Sequence, residues 1–157
     1  TGRSAVLTLL RLVDRRPRAD EGAVSLADAL RRVRRAARRR SLMVVVTDLL
    51  DDGQWQRELR ALGARHDVVV VEVRDPRESE LPPTGLLTLV DPETGRRLEV
   101  QTANPKIRKR FAEAAERQRT EHRRAVRAAG AAHLILSTDR DWLRDVISFV
   151  AQRRRLR

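Results

Sequence analysis

Leu42-Met43-Val44-Val45-Val46-Thr47-Asp48-Leu49-Leu50-Asp51-Asp52 is an apolar run that stops on an acid and opens into more acid. Bounded by polar residues, such a run reads as a strand buried on both faces, and the carboxyl end of such a strand is where an α/β sheet places a ligand site. A second run, Val68-Val69-Val70-Val71 leading to Val73, follows after a short helix over 53–65 that carries Trp55, Leu59 and Leu62 on one face. Strand, helix and strand within about 32 residues predict a right-handed parallel crossover. A third buried strand is expected over 132–137, ending at Thr138-Asp139. The fold class expected is therefore α/β: a partial doubly wound, Rossmann-like parallel sheet with flanking helices.

The segments around these strands carry helix and hairpin signals. Residues 4–14 hold Val6, Leu7, Leu9, Leu10 and Val13, an apolar helix pattern suited to a buried position. Ser25-Leu26-Ala27-Asp28 is a capping-box type start for a helix with the stripe Leu26, Leu30, Val33 and Ala37. After Asp75-Pro76 the period changes to short alternating runs at 86–90 and 97–102. The turn-rich stretch Asp91-Pro92-Glu93-Thr94-Gly95 joins them, which reads as a β-hairpin appended to the sheet. Asn104-Pro105 caps a long helix that Gly130 ends, with a thin stripe of Ile107, Phe111, Ala114, Ala115 and Val126 interrupted by Gln118 and His122. Half of that helix is expected in solvent. Trp142, Leu143, Val146, Ile147 and Val150 predict an amphipathic last helix.

The chain of 157 residues is long enough for one domain with a core, taken as 1–157 with the hairpin near 86–102 and a basic tail at 153–157. The absence of Cys excludes disulfides, zinc–thiolate sites and thiol nucleophiles. It fits a reducing, cytoplasmic setting. No apolar run approaches the roughly 20 residues of a membrane span. The formal charge of +12 is carried almost wholly by Arg, since Lys stands only at positions 106 and 109. The Arg residues are dispersed, their densest clusters being 31–40 and 153–157, and few aromatics interleave with them. Solvated basic faces are expected before a nucleic-acid footprint.

A family resemblance is carried by Glu21-Gly22-Ala23-Val24-Ser25-Leu26-Ala27-Asp28-Ala29-Leu30, by 42–52, by Arg65-His66-Asp67-Val68, by Asp75-Pro76-Arg77-Glu78-Ser79-Glu80-Leu81-Pro82 and by Leu136-Ser137-Thr138-Asp139-Arg140-Asp141-Trp142-Leu143. Together these stretches resemble the carboxy-terminal part of a DUF58 protein, the bacterial family with a von Willebrand factor A-like (vWA-like) domain encoded beside MoxR-type AAA+ ATPases. The resemblance implies that Asp48 matches the third loop of a metal-ion-dependent adhesion site, which holds Mg²⁺ or a similar hard cation. The first loop, Asp-x-Ser-x-Ser, has no counterpart in this chain. In the second loop Val24 replaces the expected Thr, and valine cannot ligate. Asp48 is thus the one metal candidate, in an incomplete site. No cofactor is expected in this chain, with Mg²⁺ left to an intact parent domain. Family members often carry amino-terminal membrane helices, which implies an anchor upstream in the parent.

The acids Asp48, Asp51, Asp75, Asp139 and Asp141 all fall just beyond strand carboxyl ends. One reading makes them a Mg²⁺-dependent phosphoryl-transfer or nuclease-like centre assisted by Arg. The plainer reading is that they cap following helices and turns, as Ser25 does for its own. No Gly-x-Ser-x-Gly elbow or Gly-rich phosphate loop occurs, and no catalytic residue is assigned. His66, His122 and His133 lack metal-ligand spacing and read as structural or solvated. His66 and His133 precede strands and are expected at the amino edge, away from the site. The preferred expectation is a non-enzymatic protein-interaction module with Asp48, Asp51 and Asp139 on its partner-binding face. By resemblance the partner is a MoxR-type ATPase. The chain opens on Thr1 with no strand before its first helix, so the edge beside 42–47 is expected to be uncovered and to invite homo-oligomerisation.

Overall fold

The computed structural model describes Thr8, Arg11 and residues 25–51, 54–90 and 95–155. Thr8 and Arg11 are helical and exposed. The rest of the helix read at 4–14, the 21–24 stretch of the second-loop comparison, residues 91–94 of the hairpin turn and the end of the basic tail lie outside the described residues.

Helix α1 (Leu26–Ala36) leads to strand β1 (Leu42–Thr47), helix α2 (Trp55–Gly63) and strand β2 (Asp67–Arg74). A short 3₁₀ turn at Pro76–Glu78 precedes the strands β3 (Leu86–Val90) and β4 (Arg97–Gln101). Helix α3 (Pro105–Ala128), strand β5 (Ala132–Ser137) and helix α4 (Trp142–Arg155) complete the order. β1, β2 and β5 form a three-stranded sheet in the order β1-β2-β5, parallel throughout. The strand–helix–strand reading of 42–73 and the third strand at 132–137 agree with this arrangement.

Register assigns each strand residue to a face. Met43, Val45 and Thr47 lie on one side with Val68, Val70, Glu72 and Arg74 of β2 and His133, Ile135 and Ser137 of β5. The core sits on that side. Ala27 and Leu30 of α1, Trp55, Leu59 and Leu62 of α2, and Val126 and Ala129 at the end of α3 pack there against Val68 and Val70. Fully burying one such side chain contributes roughly 1.5–3 kcal/mol, so this one layer provides most of the apolar driving force. Gly63 lets α2 approach the end of α3, because a Cβ there would overlap the Ala129 carbonyl.

Four expectations are corrected. The strand 42–47 is half-buried, and on one face only: Leu42, Val44 and Val46 are 61%, 58% and 67% exposed, because α1 and α2 cover the other side and α4 packs beside β5. In α1, Ala27 rather than Val33 completes the buried stripe. The hairpin is not joined to the parallel sheet. Among the described residues β3 and β4 pair with each other, in the antiparallel register Leu86↔Gln101 to Val90↔Arg97, and with no strand of the parallel sheet. The base of the hairpin is closed instead by buried Thr102, whose hydroxyl donates to the Gly85 carbonyl at 2.8 Å and accepts from Thr84 N–H at 3.2 Å. Finally, Trp142, Leu143, Ile147 and Val150 of α4 are exposed, while Val146 and Phe149 turn inward.

Candidate functional site at the carboxyl edge

The site is built where β1 and β2 end beneath α3. β1 stops because the chain turns sharply at Asp48 and Leu49. Leu49 adopts φ 61°, a left-handed conformation that costs a non-glycine residue about 1–2 kcal/mol. Its side chain, 1% exposed in the core, offsets that cost. Two local hydrogen bonds hold the turn: Thr47 Oγ1 accepts from Leu49 N–H at 3.0 Å, and Asp48 Oδ1 accepts from Leu50 N–H at 3.1 Å. Asp48 is thereby fixed on the rim of a cavity of about 40 Å³ lined also by Glu72, Arg74, Asp75, Gln118 and His122. That volume holds about one or two water molecules.

Behind this rim lies a buried ionic cluster. Glu72 is 2% exposed, and Arg74 Nε donates to its Oε1 at 2.6 Å. His133 Nε2 stands 2.7 Å from Oε2, and His122 Nδ1 stands 3.9 Å from Oε1. Burial by itself raises the Glu72 carboxyl. The polar contacts of His122, His133 and Arg74, with the charge of Arg74, outweigh burial and hold it well below the usual carboxylate range. The cluster ties together β2, β5 and α3. His122 is further held edge-on by Trp55, their ring centroids 5.9 Å apart. Arg74 Nη2 remains buried without a hydrogen-bond partner, which costs about 1–3 kcal/mol.

The five edge acids each accept a hydrogen bond, four of them from within two residues and Asp51 from a distant segment. Besides Asp48, Asp51 accepts from Leu26 N–H at the start of α1, and Asp75 Oδ1 accepts from Arg77 N–H at 2.9 Å. Asp139 Oδ1 accepts from the Ser137 hydroxyl, and Asp141 Oδ1 accepts from Leu143 N–H at 3.2 Å. Ser25 is the N-cap of α1: its Oγ accepts from Asp28 N–H at 3.1 Å and donates to the Asp28 carboxylate. Among the described residues no three His, Asp or Glu side chains converge as metal ligands.

The structure brings Asp48 and Asp75 to one cavity and Asp139 to a neighbouring one, while Asp51 turns to α1. The sequence reading missed Glu72, Arg74 and His122. Their signals were present: a lone acid inside a valine run, and polar residues on the apolar stripe of α3. His133 was expected near the amino edge, yet its ring reaches along the sheet to Glu72. His66 is buried at the amino edge, with neither ring nitrogen hydrogen-bonded.

Some Arg residues converge on the acid edge and others do not. Arg74 and Arg119 line both cavities, and Arg140 lines the second. Arg31 and Arg34 instead pair with Glu58 between α1 and α2, and Arg153 pairs with Asp67 at the opposite edge of the sheet.

Comparison with known proteins gives a family and relatives. The family described as protein of unknown function DUF58 matches residues 1–121. The chain is 44% identical over 156 residues to uncharacterized protein MAV169 of Mycobacterium avium, covering 99% of this chain and 92% of that protein. It is equally similar, over the same length, to uncharacterized proteins Mb1516 of Mycobacterium bovis and Rv1480 of Mycobacterium tuberculosis strain H37Rv. The chain spans 49% of the length of each of these two. No solved structure matches the chain.

Proposed function

The chain belongs to the DUF58 family, and from that premise we propose that it is a non-enzymatic docking module whose binding face is the carboxyl edge of the parallel sheet. The observation that carries this reading is the commitment of the edge acids: Asp48, Asp75, Asp139 and Asp141 each accept a hydrogen bond from within two residues, and Asp51 accepts one from the start of α1, so that together they hold the edge in shape. A catalytic metal centre requires carboxylates that converge on one point. A docking face requires a rigid rim with charge on it, and Asp48 and Asp139 supply that rim. The vWA-like character of the family resemblance points to a protein partner, and its MoxR association points to a MoxR-type AAA+ ATPase.

The test is a calorimetric titration of the full-length protein with the purified MoxR-type ATPase of the same organism. Saturable binding is expected. Absence of binding in both nucleotide states of the ATPase would remove the partner assignment. The phosphoryl-transfer and nuclease alternative makes the opposite prediction, Mg²⁺-dependent cleavage that Asp48→Asn abolishes.

A further inference from the structure

We infer that the second cavity of the carboxyl edge, walled by Arg74, Arg119 and Arg140, is a binding site for a tetrahedral oxyanion of the phosphate class. Its volume is about 270 Å³, and it opens beyond the ends of β2 and β5. Ligands of open parallel sheets bind outside the carboxyl ends of the strands. The inference goes beyond the docking reading and does not depend on it.

Three arginines from three separate elements line this cavity: Arg74 ends β2, Arg119 lies midway along α3, and Arg140 follows β5. None is fully satisfied by the protein. Arg74 donates Nε to Glu72, but its Nη2 is buried with no partner. Arg119 meets Glu116 only at 3.5 Å, and Arg140 meets Asp139 only at 3.9 Å. Two carboxylates, Glu80 and Asp139, share the wall, and Asp139 is already engaged by the Ser137 hydroxyl. The wall therefore carries three cations against two acids. Glu72 holds the Arg74 fork from behind, which orients that cation in advance of any ligand.

The spread of the three groups decides the ligand class. A planar carboxylate has two oxygens and suits a single bidentate fork, whereas phosphate offers oxygens in several directions with a larger charge. Guanidinium groups approaching from β2, α3 and the β5 loop match the second geometry.

The experiment is a titration of the full chain with inorganic phosphate at constant ionic strength, followed by nuclear magnetic resonance of the arginine Nε–H groups and the Thr138 and Arg140 amides. Acetate serves as the comparison. Saturable shifts confined to these groups are expected, with binding at least about tenfold weaker in the Arg119→Gln/Arg140→Gln variant and for acetate, a difference of about 1.4 kcal/mol. Both replaced side chains leave the Glu72–Arg74 pair intact, and Arg140→Gln alone, at a side chain 71% exposed, repeats the test without risk to the fold. Shifts that rise without saturation, equal affinity in the variants, or equal affinity for acetate would each overturn the assignment.

Discussion

His133 Nε2 lies 2.7 Å from the buried carboxylate of Glu72, joining β5 to β2 through side chains as well as through the backbone ladder. An ionised carboxylate only accepts, so the imidazole donates. With Arg74 and His122 on its other oxygen, Glu72 is the point at which two strands and α3 are tied under the candidate binding edge.

This arrangement sets a pH dependence. A carboxyl held below its unfolded pKa adds stability above that unfolded value, about 4.3 for Glu, and loses it as pH falls toward the folded value. Unfolding free energy from urea titration is expected to hold near neutrality as far as Glu72 is concerned and to fall below about pH 4.5. Glu72→Gln should flatten that acid limb and lower stability at pH 7 by roughly 3 kcal/mol, as when one partner of a buried pair is removed. An unchanged acid limb in the variant would show that Glu72 does not set it.

Gly63→Ala reverses the usual helix trend. In an open helix the change gains about 1 kcal/mol. Here the new Cβ overlaps the Ala129 carbonyl, so a loss of about 1–3 kcal/mol in chemical denaturation is expected. A stabilised variant would mean that α2 and α3 can move apart without cost.

Thr102→Val removes the hydroxyl that serves both the Gly85 carbonyl and the Thr84 amide, while Thr102 N–H still donates to Gly85 and Thr84 N–H to the Pro82 carbonyl. The loss should be about 0.5–1.5 kcal/mol. Because β3 and β4 pair with each other and with none of the described strands of the parallel sheet, amide hydrogen exchange should accelerate in β3 and β4 more than in β1, β2 and β5. Uniform acceleration across both sheets would contradict this local account.

Asp48→Asn combined with Asp139→Asn removes two charges from the edge while keeping oxygen acceptors for Leu50 N–H and the Ser137 hydroxyl. Binding to the MoxR-type ATPase should weaken about tenfold or more, or roughly 1.4 kcal/mol. The melting temperature should stay within a few degrees, on the order expected for small changes in stability. Full-strength binding by this variant would move the docking face elsewhere.

Val44→Lys tests the uncovered strand. Leu42, Val44 and Val46 form an exposed apolar row on β1, whose described strand neighbour is β2 alone. Such rows promote edge pairing, and a lysine in the row opposes it. Light scattering at rising concentration should detect self-association that the substitution reduces; a monomer at all concentrations would exclude this route.

The parallel sheet was legible because valine runs bounded by polar residues have one common explanation, and the spacing between them leaves room for one helix. Caps were legible for the same local reason: Ser25, Asn104 and Gly130 act on backbone groups within a few residues, and all three take the expected parts. The cluster was harder to read. Glu72 sits within a valine run, and its partners lie 50 and 61 positions farther along the chain, so no local periodicity links them.

Among the described residues the sequence by itself determined which segments are strands and helices, to within a few residues at their ends, and that acids gather after the strand ends. Those properties follow from side-chain period and from backbone groups satisfied close by. Tertiary structure alone decided which of those acids turn back into caps, that Glu72 is buried against Arg74 and His133, and that Arg74, Arg119 and Arg140 share one cavity. Contacts between distant segments depend on strand register and on the seating of α3, and a one-residue shift in that register would turn Glu72 to the other face.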